Sequence, residues 1–170
     1  MPINVHWALD LKLFAVLTDI SCGYCSFLWQ QELARPLNDN CEAGTALATL
    51  PIAIPASTAG AFTDFELETC GIPAASRGVW FSRTGSDKIT TATVTASSFN
   101  SKIAVFSGSC AFLTCIGSND GPFVATSSLT FMANAGNTYH ILLSGAKSFE
   151  DAGTYNLLIS VSSTIKKESP

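Results

Sequence analysis

The chain has 170 residues, 47% hydrophobic and only 13% charged, enough apolar material for one packed domain and not a disordered composition. Its net charge is −4, and its nine Lys and Arg form no cluster beyond Lys166-Lys167, so a nucleic-acid footprint is missing.

Residues 1–37 mix an apolar run from Trp7 to Leu17 with helix formers in CSFLWQQELARPL, and Pro36 breaks any helix near its end. Asp10 and Lys12 interrupt the apolar run and no basic segment precedes it. It is a poor secretory signal and too short for a membrane span. The start reads as a divergent leader or, preferably, as the edge of a fragment whose true beginning lies elsewhere. We expect a short, partly helical N-terminal extension there.

From Asn38 the texture changes to short apolar segments separated by Gly, Ser, Asn and Pro. ALATLPIAIP (46–55), GVWFSR (78–83), KITTATVTA (88–96) and SKIAVFSG (101–108) predict strands. So do SSLTFMANAG (127–136), NTYHILLSG (137–145) and GTYNLLISV (153–161). They are rich in residues that suit a pleated, half-buried surface. In KITTATVTA, Ile89, Thr91, Thr93 and Thr95 share one face, and Thr90, Ala92, Val94 and Ala96 the other. ANAGNTY predicts a hairpin with Gly136-Asn137 at positive φ. Turn signals every eight to twelve residues (TGSD, SSFN, GSNDG, NAGN, FEDAG) predict an all-β antiparallel sandwich over 38–163, followed by a tail over 164–170.

The six cysteines, at 22, 25, 41, 70, 110 and 115, suit an oxidising compartment. CGYC at 22–25 has redox spacing, but such motifs need a βαβ fold to lower the thiolate pKa, and a β-rich chain follows. Zinc would need four ligands; Cys22, Cys25, Cys110 and Cys115 have the wrong spacing, and neither His lies near them in sequence. Two disulfides, Cys41–Cys70 and Cys110–Cys115, are the expected arrangement. The first would close a loop of about 30 residues and add roughly 3–4 kcal/mol in the chain-entropy picture. The second would pinch the loop after the strand SKIAVFSG.

Catalytic signals are weak. His140 sits inside a strand, sharing a face with Leu142 and Ser144, and reads as a histidine without chemistry. No G-x-S-x-G elbow, phosphate loop or dinucleotide fingerprint occurs. The loop rim with Phe112, Asn119, Asp120 and Phe123 is the candidate contact surface, since aromatics beside polar turns suit carbohydrate or protein binding.

Taken in order, LNDNCEAGTAL, AGAFTDFELETCG, GVWFSRTGS, SSFNSKIAVFSGSCAFLTCIGSNDG, SSLTFMANAGNTYHILLSG and GTYNLLISV resemble the bacterial-type pre-peptidase C-terminal domain in its cysteine-containing secreted variety, over about residues 38–161. The resemblance implies a jelly-roll β-sandwich outside the cell, without catalytic residues, riding in a larger secreted protein. Relatives in collagen-degrading enzymes bind calcium, and their ligand pattern maps onto Asn38, Asp39 and Asp64, with Glu66 nearby. ARPL stands where those relatives carry further acidic residues. Three functions are therefore carried forward: a non-catalytic binding or accessory domain for carbohydrate or extracellular protein, with calcium as the candidate cofactor; a structural spacer of a surface or matrix; and a small jelly-roll hydrolase.

Overall fold

A computed structural model of the protein describes residues 34–63, 70–71, 76–121, 126–147 and 151–162. The expected N-terminal helix, CGYC and the C-terminal tail fall outside the described residues. Among the described residues a 3₁₀ turn at Cys41–Ala43 precedes nine strands: β1 (Thr45–Ala46), β2 (Ile52–Ser57), β3 (Gly78–Thr84), β4 (Lys88–Thr95), β5 (Ser101–Ser109), β6 (Phe112–Asn119), β7 (Ser127–Ala133), β8 (Thr138–Gly145) and β9 (Thr154–Ser162). They form a sandwich of two sheets, ordered β1-β3-β8-β5-β6 and β2-β9-β4-β7. All pairings of the longer strands are antiparallel; only the two-residue β1 runs parallel to its neighbour β3.

Period-two patterning explains which side chains meet. Val79, Phe81, Ile103, Val105, Ile141 and Leu143 of the five-stranded sheet face Ala92, Val94, Phe131, Leu157 and Ile159 of the other. Fully burying side chains of this size contributes about 1.5–3 kcal/mol each. The alternation predicted for β4 holds: Thr90, Ala92 and Val94 are buried, while Thr91 and Thr93 hydrogen-bond across the outer face to Thr130 and Ser128, at 2.9 Å each. The five-stranded sheet also has a covered outer face. There Trp80, Ala104, Phe106 and Leu142 form a second cluster with Cys70, joined by Cys41, Leu113 and Cys115.

Three elements differ from the sequence reading. ALATLPIAIP is two strands on different sheets, broken where Pro51, which lacks an N–H, follows a cis peptide bond. ANAGNTY is no hairpin, because β7 and β8 belong to different sheets. The turn carries the chain across the sandwich so that the rings of Phe131 and Tyr139 meet in the interlayer core, centroids 5.3 Å apart. Of its two turn residues Gly136 has positive φ, 82°, whereas Asn137 does not. Finally, 112–119 is a strand where a pinched loop was expected, since its outward Leu113 and Cys115 complete the second cluster.

Candidate functional site

The β5–β6 hairpin and the segment clamped to its tip form the candidate site. Ser109 pairs with Phe112, leaving Cys110-Ala111 as a two-residue turn. Gly108 precedes the turn with φ 106°, and a Cβ there would lie 2.5 Å from the Phe112 carbonyl oxygen, so only glycine fits. Further along, Val105 pairs with Gly117 and Phe106 with Cys115, which makes Ile116 the extra residue of a β-bulge. β6 is the last strand of its sheet, so one edge of its backbone has no strand partner among the described residues.

The disulfides correct the expected pairing. Cys41 is bonded to Cys110 and Cys70 to Cys115. The residues are those expected, and the partners are exchanged. Cys110 and Cys115 cannot meet, because Cys110 lies in the hairpin turn and Cys115 on the strand leading away from it. The three strand steps from Phe112 to Cys115 alone span roughly 10 Å and lead away from the turn, against a usual Cα separation of about 5.5 Å across a disulfide. The observed bridges close intervals of 69 and 45 residues. In the chain-entropy picture each contributes about 4 kcal/mol.

The Cys41 end of the first bridge is itself held in place. Asn38 accepts from the Trp80 N–H through its backbone carbonyl at 2.8 Å, and its side-chain amide donates to the Trp80 carbonyl at 2.9 Å. Asn40 caps the 3₁₀ turn by accepting from the Ala43 N–H at 2.9 Å. Asp39 is buried; one carboxylate oxygen accepts from the Phe62 N–H at 2.7 Å and the other is paired with the Arg35 guanidinium. Arg35 in turn stacks 4.3 Å over the Phe62 ring.

Of the expected calcium ligands, Asp39 is thus paired with the Arg35 guanidinium and the Phe62 N–H, and Asn38 is held through its amide N–H and its backbone carbonyl. Asp64 and Glu66 lie outside the described residues.

His140 lies beside the first disulfide, a juxtaposition its distance in sequence from both cysteines concealed. β8 pairs it with Ser82 and Phe106 on the outer face. Its Nε2 is 3.1 Å from the Gly108 carbonyl oxygen, and its Nδ1 is 3.4 Å from Cys41 Sγ and 3.8 Å from Cys110 Sγ. A carbonyl only accepts, so Nε2 carries a proton, and Nδ1 is the ring nitrogen that faces the sulfurs.

The expected rim is not one surface. Phe112 opens β6 and Asn119 ends it, so roughly 23 Å of strand separates them. Asn119 closes the expected turn, accepting from the Gly121 N–H at 2.7 Å, with Asp120 exposed beside it. Phe123 lies outside the described residues. Phe112, by contrast, is 82% exposed on the anchored hairpin, and Ile116 is half-exposed on the same strand. This is the apolar part of the site.

At the opposite edge of the same sheet, Ala46, Leu47, Ser82, Arg83 and Thr138 line a shallow groove of about 190 Å³. Burial lowers the pKa of Arg83, whose guanidinium donates to the Thr84 carbonyl and Ser86 Oγ.

Two disulfides suit an oxidising, extracellular-type environment, and among the described residues no helix is long and apolar enough to cross a membrane. No protein-family model matches the chain, and no curated protein matches it.

Proposed function

We propose that the chain is a non-catalytic extracellular binding domain that uses the β5–β6 hairpin edge to contact a carbohydrate or an extracellular protein. The observation that carries this reading is Phe112: a large aromatic, 82% exposed, next to a turn covalently tied to Cys41. An aromatic held on a rigid element gives contact area with little ordering entropy left to lose on binding. Thr114 is exposed beside it, Ile116 adds apolar surface, and the β6 backbone edge, without a strand partner among the described residues, can accept a peptide strand.

The non-catalytic part of the reading is supported by His140, whose ring nitrogens face a carbonyl and a disulfide instead of a nucleophile or carboxylate. The strand order supports a jelly roll: β2-β9-β4-β7 against β3-β8-β5-β6 is the order two interleaved Greek keys produce. That topology and the resemblance to pre-peptidase C-terminal domains together favour an accessory module of a larger secreted protein. The spacer reading rests on the outer face of the four-stranded sheet, where Thr91–Thr130 and Thr93–Ser128 satisfy one another's hydroxyls and present no charge.

A screen against immobilised glycans and extracellular-matrix proteins, with and without calcium, tests the proposal. Binding is expected, and Phe112→Ala should weaken it about tenfold or more without shifting Tm. Failure to bind any of them favours the spacer, and binding that Phe112→Ala leaves unchanged removes the hairpin from the contact.

A further inference from the structure

We propose that reduction of the Cys41–Cys110 disulfide converts it into a binding site for a thiophilic divalent cation, with Cys41, Cys110 and His140 as ligands. The Sγ atoms of both cysteines and a ring nitrogen of His140 lie within 4.8 Å of one another, on three separate elements that converge at the hairpin tip. A tetrahedral zinc with Zn–S bonds of about 2.3 Å places two thiolates about 3.8 Å apart. The two Cα atoms stand 5.6 Å apart on a surface turn and a 3₁₀ turn, where side-chain rotation can provide that separation.

The second observation is the orientation of the imidazole. The Nε2–H donates to the Gly108 carbonyl, which fixes the tautomer and aims the Nδ1 lone pair at the two sulfurs. A ligating histidine is typically held in this way, its other ring N–H bound to a backbone carbonyl or carboxylate. His140 is buried while both cysteines are half-buried, so the site is backed by protein and open on one side. Three protein ligands then leave the fourth position for water or an external ligand.

The chemistry balances with a dithiol as reductant. It gives up two electrons and two protons, the Cys41–Cys110 S–S bond breaks to two thiols, and the reductant leaves as its own disulfide. The cation then displaces both thiol protons and forms two metal–thiolate bonds and one bond to Nδ1. In the oxidised chain neither sulfur is a thiolate and the set cannot close on a metal ion.

The test uses the full chain with Cys22→Ser and Cys25→Ser, so that the CGYC pair contributes no thiolates. A water-soluble phosphine performs the same two-electron reduction, with water supplying the protons and the oxide oxygen, and Co²⁺ and Zn²⁺ are the probes. One equivalent of Co²⁺ should give thiolate-to-cobalt and tetrahedral d–d bands after reduction and none before. His140→Gln should weaken binding about tenfold or more. C110H, which cannot form the bridge, should bind one equivalent of Zn²⁺ through Cys41 and His140 with no reductant present and Cys70–Cys115 intact. Bands that His140→Gln leaves unchanged would overturn the proposal. If the reduced chain unfolds, C110H decides it: absence of zinc binding overturns the site as well.

Discussion

Tyr155 carries its hydroxyl into the interlayer core, where it has no hydrogen-bond partner among the described residues. Burial pushes the phenol pKa up from its ordinary value. The folded state therefore holds this proton more tightly than the unfolded chain. The associated stability is complete below the unfolded value of about 10 and is lost as pH rises above it. Tyr155→Phe should flatten the alkaline limb of the stability curve, read by denaturant unfolding between about pH 8 and 11. At neutral pH the same variant should match or exceed the parent by up to about 1 kcal/mol, because it removes a buried hydroxyl that no described residue satisfies. Asp39 is the opposite case. Asp39→Ala strands the Phe62 N–H and should cost about 1–3 kcal/mol in a urea titration. Arg35→Ala, whose side chain is half-exposed, should cost less than about 1 kcal/mol. Asp39 was legible in the sequence as a special residue, but its partners were not: Phe62 is 23 positions away, and no periodicity links the two.

At the scale of elements, strands with strong alternation were legible nearly to their ends, as β4, β8 and β9 show. In β4 and β9 every second residue is buried, and β8, at the middle of its sheet, is buried on both faces, so each keeps a run rich in β-branched and aromatic residues. β6 was hidden because an edge strand buries little, and its FLTCIGSN pattern reads as a polar loop when its cysteine is assigned to a local bridge. The hairpin that β6 makes depends on Gly108 more than on any apolar contact at its tip. Gly108→Ala must adopt a left-handed φ and place a methyl against the Phe112 carbonyl. It should cost about 2 kcal/mol or more, and amide exchange at the β5–β6 tip should rise more than exchange in β9. Uniform exchange changes across both sheets would show that the hairpin has no independent role.

On the scale of the whole molecule, the sequence predicts the two-layer class, because turn signals at strand spacing and few helical segments leave little else. Which strand joins which sheet was not legible. The ANAGNTY turn is equally compatible with a hairpin and with a crossing between layers, and only the packing of Phe131 on Tyr139 distinguishes them. The disulfide partners follow from the same long-range arrangement: each bridge joins a segment laid over the outer face of the five-stranded sheet to the β5–β6 hairpin. This cross-linking presents Phe112, and it places His140 against a pair of sulfurs. The connectivity is thus the claim on which both proposals stand, and a non-reducing peptide map tests it most directly. The digest must cut between Cys41 and Cys70, after Glu66 or Glu68, and between Cys110 and Cys115, after Phe112 or Leu113. The structure predicts linked peptides carrying Cys41 with Cys110 and Cys70 with Cys115; peptides linking Cys41 to Cys70 and Cys110 to Cys115 would contradict it.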